Sequence, residues 1–245
     1  MSKPLEQDLS PTVSVVVPVL NELVGLPKLI ESLQRFDFKQ LVIVDGGSDD
    51  GSWQWLQKIS NEGLLKFPVT ILQSDKGRAK QMNAGAKICS SDLILFLHAD
   101  TQLPSGIDRD LVNVKNNNYQ WGRFDVRFPR ETRSAWLMSI VAFFINVRSS
   151  LSGIATGDQA IFINTALFQK VGGFPELPVM EDVAISKKLK QYSKPYCSRL
   201  RATTSPRRWL QNGIFKTVAQ MWFLRCAFFC GVPAESLAMK YRNVR

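Results

Sequence analysis

Three stretches of this chain are apolar at nearly every successive position, and each stops abruptly at a polar or charged residue. Val13-Ser14-Val15-Val16-Val17 runs into Pro18, Leu41-Val42-Ile43-Val44 into Asp45, and Leu93-Ile94-Leu95-Phe96-Leu97 into His98-Ala99-Asp100. A half-exposed strand alternates between apolar and polar residues. A strand that is apolar throughout needs both of its faces covered, which is the state of a central strand in a parallel sheet flanked by helices. The intervening segments carry the helices. Leu26, Leu29, Ile30 and Leu33 share a helical face after Asn21-Glu22, and Trp53, Leu56 and Ile59 share another after the turn Gly46 to Ser52. Ser48 or Asp49 is the expected cap of that second helix. Val69 to Leu72 reads as a short strand, and Lys76-Gly77-Arg78 opens a helix bearing Met82, Ala86 and Cys89 on one side. This β-α-β-α-β-α-β alternation predicts an α/β fold with a doubly wound, mostly parallel central sheet.

In such sheets ligands sit beyond the carboxyl ends of the strands. Asp45 and Asp100 both stand there. A carboxylate is costly to desolvate unless something positive meets it, and a divalent cation carrying a diphosphate is the matching partner. The glycines after Asp45 let backbone approach a ligand closely.

Beyond Pro104 the rhythm loosens. Gly122 to Phe128 alternates like a strand, Ser134 to Val147 forms a strongly apolar helix, and Ala160 to Ile163 forms another strand. A glycine turn, Phe168 to Pro175, precedes Glu181-Asp182, which opens a helix Val183 to Tyr192. From Ile214 to Cys230 a long helix is expected. Its stripe Phe215, Val218, Ala219, Trp222, Cys226 and Phe229 is predicted to face the core. Met221, Leu224 and Phe228 form a second patch. That patch fits a helix sandwiched inside the protein, the preferred expectation, or a homodimer or membrane-surface contact helped by Lys216, Arg225, Arg207 and Arg208. One domain over residues 1–245 is expected, with a nucleotide-binding half (13–104), an acceptor and catalytic half (105–210) and a C-terminal amphipathic helix and tail (211–245).

The net charge of +10 suits anionic partners. Its basic residues are scattered and no stacking-aromatic or zinc module accompanies them, so nucleic acid is not the expected partner. No Gly-x-Gly-x-x-Gly follows the first strand and no P-loop appears, which argues against dinucleotide oxidoreductases and P-loop enzymes. Met1 to Pro11 is polar, without the apolar segment of a signal peptide, and no run of about 18 apolar residues predicts a spanning helix. A cytoplasmic protein, peripheral at most to the membrane, is therefore expected. Cys89, Cys197, Cys226 and Cys230 lack metal-site spacing and are expected as reduced thiols.

Taken in order, Val15 to Glu22, Val44 to Ser52, Gly77 to Gly85, Phe96 to Asp100, and Gly172-Gly173-Phe174 followed by Glu181-Asp182 resemble glycosyltransferase family 2, whose fold is GT-A. The resemblance spans Val13 to about Trp209 and is nearest to small stand-alone bacterial members. It implies a nucleotide-sugar donor, a hydroxyl acceptor that an apolar surface would allow to be lipidic, and Mg²⁺ or Mn²⁺ on the diphosphate. Carried onto matching positions, Asp45 would accept hydrogen bonds from the base, with Pro18, Asn21, Glu22, Gly46 and Ser48 lining the same pocket. Arg78 would approach the phosphates, Asp100 would hold the metal, and Asp182 would be the general base of a single inverting displacement. Glu181 would orient the helix start at the acceptor side. Two departures stand out. The usual Asp-x-Asp reads His98-Ala99-Asp100, which leaves His98 as a second metal or ribose contact. The Gln-x-x-Arg-Trp segment reads Ser205-Pro206-Arg207-Arg208-Trp209, so Arg208 would pair with the diphosphate and Trp209 stack at the acceptor entrance, while the missing glutamine favours transfer of one sugar over processive synthesis. A nucleotidyltransferase on a similar scaffold would carry a glycine-rich basic loop where this chain has Val19-Leu20-Asn21-Glu22. A basic nucleic-acid- or membrane-binding protein without catalysis is the reading from a different class.

Overall fold

The computed structural model describes residues 10–242 apart from 64 and 133, and the side chains of 241 and 242 are also outside it. Most of the polar segment Met1 to Pro11 and the tail beyond 242 lie outside the described residues. The first half alternates as β1 (Val13–Val19), α1 (Leu26–Leu33), β2 (Gln40–Asp45), α2 (Ser52–Glu62), β3 (Val69–Gln73), α3 (Arg78–Ala86) and β4 (Leu93–Phe96). Then come β5 (Thr101–Gln102), α4 (Ile107–Asn116), β6 (Trp121–Arg127) and α5 (Ala135–Ser152). A 3-10 turn at Gly157–Gln159 leads into β7 (Ile161–Asn164), α6 (Thr165–Lys170), α7 (Glu181–Lys190) and β8 (Tyr196–Thr204). The chain finishes in α8 (Arg207–Asn212), α9 (Ile214–Phe229) and α10 (Ala234–Arg242).

All eight strands form one sheet in the order β3-β2-β1-β4-β7-β6-β8-β5. From β3 to β4 every pairing is parallel, as expected. Beyond β4 the sheet is mixed: β7 runs antiparallel to β4 and β6, β8 parallel to β6, and β5 antiparallel to β8. The unbroken apolar runs do cover two faces. Val15, Val17, Leu93 and Leu95 pack on one side with Leu29, Leu33, Ile107 and Leu111. Val16, Ile94 and Phe96 pack on the other with Met82, Ile161 and Ile185. Each such side chain contributes roughly 1.5–3 kcal/mol by leaving water.

The order reverses at β1. The chain steps from β1 to β2 to β3 on one side, then crosses back to place β4 on the other. The loops after β1 and β4 therefore diverge and leave a crevice at the carboxyl ends. Pro18 belongs to that crevice. Val16 O accepts from Leu97 N, and Pro18, two residues on, faces the same way past the end of β4, where its missing N–H forfeits no ladder bond.

Several expectations need correcting. In α9 the stripes are reversed: Leu224 and Thr217 are buried, while Phe215 (77% exposed), Trp222 (58%), Phe229 (52%) and Cys226 face outward. Leu224 packs with Leu237 of α10 and with Val179, Ile214 and Val218 pack on the cluster under β6, and the exposed aromatics between them show that α9 is not enclosed within the protein. Periodicity identifies an apolar stripe but not which stripe finds a partner. The helix expected at Ser134 to Val147 runs on to Ser152 and is long and apolar enough, by length and composition, to cross a membrane. Its buried face, with Met138, Val141 and Ala142, packs under β6 beside Val126 and Phe128. The turn after β2 is tied by Asp50, whose Oδ1 accepts from Ser52 N, rather than by a Ser48 or Asp49 cap. Strand β8 and helix α4 were missed. The buried residues of β8 are Ser198, Ala202 and Thr204, too small and polar to give an apolar signal. All four cysteines are free, and burial pushes the Cys89 thiol up to about 11.

Candidate active site

The loops after β1 and β2 are joined residue by residue. Asn21 adopts φ +56°. Its amide N donates to Ser48 Oγ at 2.9 Å, and its Oδ1 accepts from Asp49 N at 3.0 Å. Glu22 N donates to Ser52 Oγ and Leu23 N to Asp50 Oδ2. Asp45 is fully buried at the end of β2, where Gly46 extends the chain toward Gly47. Its Oδ2 accepts from Gly47 N and Ser48 N, both at 3.0 Å, while Oδ1 has no partner among the described residues. A buried carboxylate oxygen left open is costly, and a donor-bearing ligand edge would satisfy it.

Helix α3 reads from its N-terminus as a set of separate anchors. Arg78 Nη1 lies 3.5 Å from Glu181 Oε1 at the start of α7. Gln81 Nε2 donates to Val19 O (2.7 Å) and Val44 O (2.9 Å), which clamps the ends of β1 and β2 together. Asn83 exchanges two hydrogen bonds with the Phe174 backbone, which holds the Gly172-Gly173-Phe174 turn. At Gly85 an added Cβ would lie 2.6 Å from Val16 Cγ1, so only glycine lets the helix sit this close to the sheet.

Around these anchors the titratable residues converge. His98, Gly157, Met82, Phe96, Glu181 and Asp182 line one small cavity at the carboxyl end of β4. The ring of His98 packs directly on Gly157, and its Nε2 is buried without a partner among the described residues. Burial, then the Arg78 charge, pushes the imidazole well below its ordinary value, so it is neutral near pH 7. Asp100 is exposed at the edge of this group; partial desolvation by its surroundings raises its carboxyl, Asp158 adds to the rise, and Arg78 and Arg207 oppose it. Glu181 is buried and pushed up to about 7, first by desolvation and then by the charge of Asp182, with Arg78 opposing. Asp182 Oδ2 accepts from Gly157 N (2.9 Å) and its Oδ1 from Val183 N (2.7 Å). A larger depression near Ile59, Lys66 and Val69 lies at the opposite end of the sheet, at the start of β3, away from all of these groups.

Of the residues singled out from sequence, Asp45, Ser48, Asn21 and Glu22 meet across the first two loops, and Arg78, His98, Asp100, Glu181 and Asp182 meet beyond β4. Glu181 faces Arg78 rather than open solvent. Arg208 is engaged with Met221 Sδ on α9, and the adjacent Arg207 reaches in instead, with Nη2 3.0 Å from Glu22 Oε1. Trp209 packs edge-on against Phe128, half-buried below α5, rather than lining an open entrance. Sequence reasoning did not single out Gln81, Asn83 or Asp158, and it gave Arg207 only a part in a surface contact. One signal was available: Thr156 and Gln159 form a capping box around the turn that carries Gly157 and Asp158.

Among the described residues no cluster of three or more His, Cys, Asp or Glu side chains could hold a metal by itself. Asp100 with Asp158 nearby, whose Oδ1 is unpartnered, instead fits a hard cation bound mainly by phosphate and water oxygens.

An α/β sheet with titratable residues gathered at its switch point is thus in place, and comparison places it further. The chain belongs to glycosyl transferase family 2, whose profile it matches over residues 14–170. Its fold is GT-A. It is 32% identical over 112 residues to an undecaprenyl-phosphate 4-deoxy-4-formamido-L-arabinose transferase of Pseudomonas syringae pv. syringae, a match covering 44% of this chain and 33% of that one. The transferase of the same description from Pseudomonas fluorescens is 35% identical over 98 residues, covering 38% and 28% respectively. The chain therefore spans about a third of the length of these relatives. Among solved structures it resembles a mannosyltransferase from Pyrobaculum calidifontis in complex with GDP-Man and Mn²⁺ (TM-score 0.63, 18% identity, covering 89% of this chain and 61% of that one). It also resembles S. aureus TarS in complex with UDP (TM-score 0.60, 21% identity, covering 80% and 61%).

Proposed function

We propose that this protein transfers a single sugar from a nucleotide-diphosphate sugar to an acceptor oxygen with inversion at the anomeric carbon. The observation that carries the reading is that Arg78, Asp100 and Asp182 gather beyond the end of β4, while Asp45 stands with an open carboxylate oxygen at the end of β2 on the other side of β1. In this reading the open Oδ1 of Asp45 accepts from the base, and the Asn21 to Ser48 stitch holds that pocket in shape. Arg78 and Arg207 face the diphosphate. A divalent cation, Mg²⁺ or Mn²⁺, with Asp100 as its protein ligand and Asp158 nearby, would neutralise charge on the leaving group. His98, whose Nε2 is unpartnered among the described residues, stands behind this point as a wall of the cavity.

The acceptor oxygen attacks the anomeric carbon as the bond from that carbon to the diphosphate oxygen breaks. The bonding pair leaves with the nucleoside diphosphate. Asp182, held by Gly157 N and Val183 N, takes the acceptor proton. Glu181 sits behind it and ties the base to Arg78, so the donor and acceptor sides of the reaction share one ion pair.

The finer reading of the acceptor is a lipid-linked one, met at a membrane surface. It is supported by the names of the relatives, and by the outward aromatic stripes of α5 and α9 beside Lys216 and Arg225. The protein would then work at the cytoplasmic face as a peripheral enzyme. Calorimetric titration with UDP and GDP, each with Mn²⁺, with Mg²⁺ and with EDTA, tests the donor site. Metal-dependent binding of one nucleotide is expected; no binding of either would overturn the donor reading.

A further inference from the structure

Two segments meet beyond the end of β4, and only a glycine lets them come so close. His98 follows β4 and begins a tight turn, its carbonyl accepting from Thr101 N at 3.0 Å. Against it stands the turn Thr156 to Gln159, closed by its own capping box. A Cβ added to Gly157 would lie 2.3 Å from His98 Nε2 and 2.4 Å from its Cε1. Gly157 is not among the glycines with positive φ, so its backbone does not itself demand glycine. The ring of His98 is what reserves the position.

The contact matters because of what Gly157 holds. Its N donates to Asp182 Oδ2 at 2.9 Å. A second tie joins the same two elements: Ser186 Oγ accepts from Ala155 N at 3.1 Å and donates to Asp182 O at 2.7 Å. The turn is thus fastened to α7 on one side and abutted by the His98 ring on another. His98, Gly157 and Asp182 all line the small cavity beyond β4. His98 Nε2 is shielded from solvent, with no hydrogen-bond partner among the described residues. A nitrogen without a partner contributes nothing by its polarity. What the ring supplies is volume, and it fills the space into which the turn would otherwise relax.

We propose that His98 is a positioning residue for the general base: its ring braces Gly157, and Gly157 N in turn fixes the direction of the Asp182 carboxylate. The proposal rests on the glycosyl-transfer reading for what Asp182 does, while the brace itself can be tested without it. The variants are His98→Ala, His98→Phe, Gly157→Ala and the double variant of His98→Ala with Gly157→Ala. Calorimetry reads the binding of UDP and GDP with Mn²⁺. Kinetics read release of nucleotide from UDP-glucose and GDP-mannose, with water as the acceptor. His98→Ala should lower kcat about tenfold or more, with KM and nucleotide affinity within about twofold of wild type. His98→Phe keeps a ring, drops the unpartnered nitrogen and should recover most of that loss. Gly157→Ala should be impaired as well, because its methyl displaces the turn or the ring. In the double variant the methyl enters the space that the ring has left, so kcat should exceed that of Gly157→Ala by about fivefold or more. Losses that simply add in the double variant would overturn the brace. Loss of Mn²⁺-dependent nucleotide binding in His98→Ala would overturn it too, and would make His98 part of the metal site. If the wild type releases neither nucleotide, the transfer reading loses its support, and exchange of the Gly157 amide decides the brace instead. Read by NMR on protein carrying isotope-labelled glycine, that exchange should be about tenfold faster in His98→Ala than in the wild type, and slow again in His98→Phe. Equal exchange in all three would overturn the proposal.

Discussion

The loops after β1 and β2 and the helices α5 and α9 are built on opposite principles. In the loops nearly every polar group has a specified partner: Asn21 meets Ser48 and Asp49, Asp50 meets Leu23 and Ser52, and Gln81 bonds the last carbonyls of two strands. In the helices the large apolar side chains face solvent, and Nε and Nη2 of Arg148 on α5 are shielded without a partner among the described residues. The first region is complete within this chain and needs only a ligand edge at Asp45. The second leaves its apolar side chains uncovered among the described residues. On the proposed glycosyl-transfer reading, preorganisation belongs to the donor side, where the geometry of leaving-group departure must be held within fractions of an ångström, and the open apolar faces belong to the acceptor side.

The largest effect that would sharpen this contrast falls on Asp182. Asp182→Asn should lower kcat by roughly 10²–10⁴ while leaving nucleotide affinity unchanged. Single-turnover kinetics alongside calorimetry would read both. Retained turnover would remove Asp182 as the base, and with a phosphate acceptor, whose attacking oxygen is already ionised, it would point to a displacement that needs no base.

Next in size is the clamp at the strand ends. Gln81→Ala removes two buried hydrogen bonds and opens a void, so unfolding free energy should fall by about 2–3 kcal/mol. Nucleotide affinity should fall with it, because the loops after Val19 and Asp45 lose their common anchor. Denaturant titration with nucleotide binding on the same variant would measure the coupling. Stability lost with affinity intact would break the claim that the clamp shapes the donor pocket.

A smaller effect should come from Glu181, and it depends on pH. Its folded value is raised to about 7 from an ordinary 4.5. The folded state therefore favours the protonated form, and the stability that Glu181 contributes is fully present below about 4.5 and lost as pH rises through about 7. Glu181→Gln mimics the protonated side chain. It should be close to wild type in stability at pH 4.5 and more stable by about 1–2 kcal/mol at pH 8. Thermal unfolding across that range tests it, and a difference that does not change with pH would mean the Arg78 pair holds Glu181 ionised throughout.

How much of this was legible in the sequence follows the same division. Unbroken apolar runs announce buried parallel strands, and the carboxylates at their ends follow from chain direction alone, so Asp45 and Asp100 were readable. Gln81 and Asn83 were visible as letters within Gly77 to Gly85, but their partners lie 37 or more residues away, and no local pattern marks them. Arg207 and Arg208 are neighbours on one short helix, and only packing decides which turns to Glu22 and which to Met221. The α9 stripes were mistaken because two apolar faces look alike until α10 and the Val179 segment cover one of them. Strand β8 was hidden because its buried positions are Ser, Ala and Thr.

The smallest expected effect on stability sits on the exposed faces, and it separates the two regions most cleanly. Phe143→Ser and Trp222→Ser alter side chains that are 61% and 58% exposed. Each should change unfolding free energy by no more than about 0.5 kcal/mol, because little area leaves contact with the core. If those faces meet a membrane, the same pair of substitutions should reduce co-sedimentation with anionic phosphatidylglycerol vesicles several-fold, since buried apolar area and attraction to anionic lipid together set interfacial binding. The attraction depends on Lys216 and Arg225 and should weaken with added salt, whereas the aromatic part should not. A double variant that sediments like the wild type, with stability also unchanged, would leave those aromatics without a lipid role. A double variant that loses several kcal/mol of stability would show that α5 and α9 are packed elements after all, and the contrast between a finished donor half and an open acceptor half would fail.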